Sequence, residues 1–309
     1  MRHNKLLQQA STFFDLGKVS SIFKAGGYAN VNYCVETDSG SYIFKFNLEH
    51  PEADILEEIQ YLERLRQYNF PSPYYLANKV GKFVCKQGNF VITVQPRIEG
   101  NKPKPSLHTA RQIAKALAQL HRIPTKDLPF KKHWLQPEYL PGAVRIAKEQ
   151  LPKIDVSGFL YEYEQIKDID FRSLPQSITH GDVHPDNCLY TNGLLTAILD
   201  WEEVGIGISL LDLARAILGF CFEDYTKPEL ILAMINEYEN VRDLTPEEKI
   251  SLPKAVRYTG LALSIWLLLQ FNLYRPDENL KDEYKFYWDK GLGRLSNKVL
   301  FRSKQTKSL

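Results

Sequence analysis

One stretch of the chain, Ile178-Thr179-His180-Gly181-Asp182-Val183-His184-Pro185-Asp186-Asn187, spaces a histidine, an aspartate and an asparagine as H-x-D-x-x-x-x-N. Shortly after it, the apolar run Leu194–Leu199 ends at Asp200. Such a set suits phosphoryl transfer, which needs a carboxylate beside the attacking hydroxyl and oxygen ligands for a Mg²⁺ on the phosphates. Asp182 is the candidate catalytic residue, placed to orient or deprotonate an acceptor hydroxyl. Asn187 and Asp200 are the candidate metal ligands, because Mg²⁺ takes hard oxygen donors. His180 reads as structural support, bracing the loop by hydrogen bonds. Alone, Asp182 is as readily a turn aspartate; its register with Asn187 and Asp200 favours chemistry.

The elements that must hold these groups fall into two regions. Val31–Glu36 and Ser41–Phe46 flank the turn Thr37-Asp38-Ser39-Gly40 and read as a β-hairpin. In the second strand Ile43 and Lys45 share one face, and Tyr42, Phe44 and Phe46 the other. A helix follows over 53–67. Its stripe Ile55–Leu62–Leu65 includes Glu58, a carboxylate on an apolar face that wants a partner, and Lys45 is available. Strand-like runs at Tyr75–Val80, Lys82–Lys86 and Phe90–Val94 complete a β-rich region. Gly26 and Gly27, just before the hairpin, offer backbone N–H groups to phosphates, although paired glycines more often make an ordinary turn. Past the Pro/Lys-rich stretch Asn101–Pro105 the chain turns helical: over Leu107–His121, over Ser209–Phe220 with Ser209 as N-cap, and from the capping box Thr245-Pro246-Glu247-Glu248.

The architecture therefore reads as α+β, with a small β-rich N-lobe over 1–94, a hinge over 95–100 and a larger helical C-lobe over 101–309. Lys plus Arg number 39 against 37 for Asp plus Glu, which gives no broad basic field for nucleic acid. The four cysteines form no CxxC pair, so a reduced, cytoplasmic protein is expected. The apolar run Thr259–Leu269 is too short for a bilayer and reads as a core helix; no membrane partner is expected. The oligomeric state is not legible.

Five stretches, GGYANVNYCVET with YIFKF, EEIQYLERL, QPRIEG, ITHGDVHPDNCLY and AILDWEEVGIGISLLDLARA, resemble in order the aminoglycoside phosphotransferase/choline kinase superfamily. FDLGKVSSIFKAGGYANVNY and INEYENVRDLTPEEKISLPKAV are similar to its homoserine-kinase-like branch, whereas His184-Pro185 resembles the broader aminoglycoside-type loop. The resemblance implies a bilobal protein-kinase-like fold and ATP with Mg²⁺ as cofactors. It implies Lys45 and Glu58 as a phosphate-anchoring pair and Gln95–Arg97 as the hinge near adenine. It implies Asp182 as catalytic base, Asn187 and Asp200 as Mg²⁺ ligands, and Asp212 as a structural aspartate behind the loop; a carboxylate capping the helix of Ser209 is an equal reading of Asp212 and does not exclude the other. A protein kinase is disfavoured, since only Glu202–Ile208 separates Asp200-Trp201 from the next helix and A-P-E is absent.

The expected function is an ATP-dependent kinase acting on a hydroxyl of a small polar metabolite: homoserine, a choline-like amino alcohol, a sugar or an aminoglycoside. Glu202 and Glu203 are candidates to meet an amino substrate, or are a solvated loop. Two alternatives stay open. One is a non-catalytic nucleotide-binding regulator. The other is a metal-dependent hydrolase using His180, Asp182 and His184 with Asp186 and Asp200, a reading that leaves Lys45, Glu58 and Asn187 idle.

Overall fold

The computed structural model describes residues 2–25, 30–48, 51–131, 133–222 and 227–288. The chain divides into two compact units. The first holds Met1–Asn101, Asp127–Pro129 and Leu189–Glu202; the second holds Lys102–Lys126, Phe130–Cys188 and Glu203–Leu309. The Asp200 segment thus packs with the N-terminal unit rather than with 101–309.

In the first unit α1 (Arg2–Phe13) precedes β1 (Val19–Lys24), β2 (Val31–Thr37), β3 (Gly40–Asn47), α2 (Glu52–Gln67), β4 (Cys85–Gln87) and β5 (Phe90–Pro96). The five strands form one antiparallel sheet in the order β1-β2-β3-β5-β4. Period-2 alternation sends Phe44, Phe46, Ile92 and Val94 to one face, where Leu7 and Ala10 of α1 and Phe14 just after it cover them. The opposite face carries Lys45, paired in register with Thr93 of β5. Tyr75–Val80, expected as a strand, forms no ladder. Asn78 Oδ1 accepts from Val80 N at 3.1 Å and Lys82 N at 2.9 Å, and this Asx-type turn takes N–H groups a ladder would use.

The second unit contains α3 (Leu107–Leu120), α4 (Tyr139–Gln150), α5 (Ser157–Glu164) and β6 (Gln176–Thr179). The hairpin of β7 (Cys188–Thr191) and β8 (Leu194–Ile198), which from Leu189 on belongs to the first unit, leads to β9 (Gly205–Ile208) of the second, which pairs antiparallel with β6. Then come α6 (Ser209–Cys221), α7 (Pro228–Glu239), α8 (Pro246–Leu269) and the short α9 (Tyr284–Tyr287). The Thr245–Glu248 capping box forms at the start of α8. Ser209 is not the cap of α6. It is the first helical residue, and its hydroxyl is bonded to Ser177 Oγ at 2.9 Å, because the chain runs from β9 into the helix with no intervening turn. A β-sheet region followed by a helical region is the bilobal, kinase-like α+β arrangement expected. No helix among the described residues is long and apolar enough to cross a membrane.

Candidate active site

The loop after β6 is shaped by one face of α6. Asp212 Oδ1 accepts from Gly181 N at 2.7 Å and Oδ2 from His180 N at 3.0 Å. Asp212 therefore reaches the loop backbone. Gly181 has φ +88°, and a Cβ there would lie 1.7 Å from His133 Nε2, so the turn admits only glycine. His180 is fully buried, and its Nδ1 accepts from Asp182 N at 3.1 Å, which braces the loop internally.

One helical turn beyond Asp212, Arg215 brings Nε to 2.9 Å and Nη2 to 2.8 Å from Asp182 Oδ1. His184 Nε2 lies 3.4 Å from Oδ2. Burial pushes the Asp182 carboxyl up, but Arg215 and His184 outweigh it and hold the group well below the usual carboxylate range. Asp212, buried yet bonded to His121 and the loop N–H groups, is held at about 2. Asn187 Nδ2 donates to Asp182 O at 3.0 Å and to Asp182 Oδ2 at 3.2 Å. Its Oδ1 is left as a hard oxygen donor of the kind Mg²⁺ takes.

In the first unit Lys45 Nζ forms its ion pair with Glu202, whose Oε1 also accepts from Asn30 Nδ2 at 2.7 Å. Glu58 is buried, 5% exposed, and its Oε1 accepts from the Tyr75 hydroxyl at 2.8 Å. Burial lowers the Lys45 pKa, but the fields of Glu58 and Glu202 together raise it. Glu58 thus acts on Lys45 through its field, while the contact belongs to Glu202. Asp200 adopts φ +65°, a left-handed conformation uncommon for a non-glycine residue and often found at functional sites. The adjacent Trp201 is 1% exposed; it donates from Nε1 to Ile198 O at 2.7 Å and meets Phe70 edge-on. At the end of β5, Gln95 pairs with Ile43, and Arg97 faces Glu36 at 3.5 Å and Glu99 at 3.3 Å. Gly26 and Gly27 lie outside the described residues. Among those described, no three His, Cys, Asp or Glu side chains converge as a metal cluster.

Sequence reading missed Arg215, His121 and the Lys45–Glu202 contact. Arg215 carried a signal: a lone arginine in the apolar run SLLDLARAILGF, three residues after Asp212 and so on the same helix face. His121, the last residue of ALAQLH, carried no signal of its own.

Sequence comparison matches residues 23–247 to the model of a family described as "Phosphotransferase enzyme family". A homoserine kinase of Polaromonas naphthalenivorans is 27% identical over 289 residues, covering 87% of this chain and 88% of that protein. Among solved structures, an amicoumacin kinase in complex with AMP-PNP and Ca²⁺ superposes with a TM-score of 0.73 at 14% identity, covering 94% of this chain and 93% of that one. The choline kinase LicA of Streptococcus pneumoniae gives 0.70 at 18% identity, covering 96% and 99%.

Proposed function

The chain belongs to the phosphotransferase enzyme family and is a small-molecule phosphotransferase, and on that premise we propose that it transfers the γ-phosphoryl group of ATP to the hydroxyl of homoserine or a closely similar amino alcohol. Membership in a family of phosphotransferases replaces the regulator alternative. The observation that carries the reading is Asp182, a carboxylate kept ionised by Arg215 and oriented by Asn187. Relatives named homoserine kinase at 25–27% identity favour that acceptor.

Asp182 accepts the hydrogen bond of the substrate hydroxyl and points its oxygen at the phosphorus. Its depressed pKa makes it a weak base, which suits a loose transition state in which the proton leaves late. Lys45 holds the phosphates, its charge supported by Glu58 and Glu202, and Gln95–Arg97 lie by the adenine. Asn187 and Asp200 are the residues to hold Mg²⁺, which when bound neutralises charge on the phosphates. The four cysteines are buried and free, which supports a reducing, cytoplasmic setting.

The test is ADP release in the presence of homoserine, choline, hexosamines and aminoglycosides, run with the native chain and with Asp182→Asn. Homoserine should give the highest kcat/KM. Asp182→Asn should lower kcat by about 10²–10⁴-fold with nucleotide binding retained. A different preferred acceptor overturns the substrate assignment; near-native turnover by the variant overturns the role of Asp182.

A further inference from the structure

A buried polar chain runs from the loop-holding aspartate to the start of α8. His121 Nε2 lies 3.1 Å from Asp212 Oδ2, and His121 Nδ1 lies 2.6 Å from the Tyr238 hydroxyl. Arg242 Nη1 donates to that hydroxyl at 3.1 Å and to Glu248 at 3.0 and 3.2 Å. Glu248 Oε2 accepts from Thr245 N at 3.0 Å, and Thr245 Oγ1 accepts from Glu248 N at 3.2 Å. Tyr238 and Glu248 are fully buried, and His121 is 7% exposed.

The two ends of this chain fix its direction. An ionised aspartate only accepts, so the nitrogen facing Asp212 carries a proton. A guanidinium only donates, so the Tyr238 oxygen accepts from Arg242 and its own proton is free to go to His121 Nδ1. Burial raises the Tyr238 pKa, with Arg242 working against it, so the phenol keeps that proton. Every group is satisfied when His121 is neutral, protonated at Nε2 and bare at Nδ1.

We infer that Tyr238, anchored by Arg242 and Glu248, is a positioning residue: it selects the His121 tautomer that donates to Asp212 and so fixes the loop that presents Asp182. A histidine with the proton on Nδ1 would turn a lone pair toward the Asp212 carboxylate. Asp212 would then lose a donor while still holding the His180 and Gly181 N–H groups. The capping box of α8 thereby becomes part of the support of the catalytic loop. This role of Tyr238 rests on the proposed role of Asp182.

The experiment has two arms. In the native chain, ¹⁵N NMR of the His121 ring at neutral pH should show a pyrrole-type Nε2 and a pyridine-type Nδ1. This needs no variant to fold. In Tyr238→Phe the ring should lose that single-tautomer signature, and kcat should fall by about tenfold, the scale on which removing an outer hydrogen-bond partner acts. KM for ATP should stay within about twofold, because no nucleotide-binding group is touched. Arg242→Lys, which keeps a cationic donor, should retain most of kcat. A native His121 protonated at Nδ1, or at both nitrogens, overturns the inference. So does Tyr238→Phe with unchanged kcat, or with kcat and ATP affinity falling together. Failure of the Asp182 reading is distinguishable: Asp182→Asn would then keep its turnover while the His121 spectrum stays as stated.

Discussion

Two residues show how charge decides function here. Asp182 would be a poor orienting group if burial had neutralised it, and Arg215 prevents that. Lys45 presents the reverse case: on the proposed reading it holds phosphates, yet here its contact is a carboxylate, Glu202. Both partners are largely buried, with side chains 11% and 16% exposed, so the pair is screened less than a surface one. Glu202→Gln should therefore tighten ADP binding by about fivefold, the equivalent of about 1 kcal/mol, measured by calorimetric titration. Weaker ADP binding by this variant would show instead that Glu202 supports the nucleotide. Spacing along the chain made the Asp182–Asn187 loop contact legible, since a loop motif is local. The partner of Lys45 was not legible. Glu58 stood out because helical periodicity placed it on an apolar stripe, whereas Glu202 lies in an irregular segment where periodicity says nothing.

At the scale of elements, α6 links the loop to the core: Asp212 takes two backbone N–H groups and Arg215 takes the side chain of Asp182. One turn further on, Gly219 leaves room for His184, since a Cβ there would lie 2.8 Å from His184 Cβ and 3.0 Å from its Cα. In an exposed helix interior, alanine would favour folding over glycine by up to about 1 kcal/mol. Here the clash with backbone outweighs that gain. Gly219→Ala should lower the melting temperature and kcat together, because His184 shifts away from Asp182. A raised melting temperature with native kcat would show that the close approach does not position the loop. The helices themselves were largely legible. The box at Thr245–Glu248 forms as the residues dictate, and so does the β2–β3 hairpin around its Asp-Ser-Gly turn. Two readings failed where side chains compete with the backbone: Asn78 unmade a strand, and Ser209 bonded sideways to Ser177 rather than capping its helix. Propensity carries no information on which partner such a side chain finds.

For the whole molecule, the near balance of 39 basic and 37 acidic residues leaves its response to pH governed by buried groups rather than by net charge. His133, 4% exposed beside the loop, is lowered to about 4, chiefly by burial. An unfolded histidine titrates near 6.5. Between those values the unfolded chain binds a proton that the native chain refuses, so stability falls as pH drops from about 6.5 to about 4, by roughly 3 kcal/mol. Asp212 acts in the next window. Its folded value of about 2 lies below the unfolded 3.9 or so, so its contribution is complete above about pH 4 and is lost on descent to about pH 2, roughly 2–3 kcal/mol more. The two losses have the same sign and follow one another. Urea midpoints measured from about pH 7 to about pH 2 should decline in two stages. His133→Gln should flatten the upper stage and leave the lower one, and Asp212→Asn should do the opposite at a lower overall stability. A native midpoint constant between about pH 6.5 and 4.5 would mean that His133 takes up its proton in the folded chain, and that the tight seat against Gly181 opens without cost.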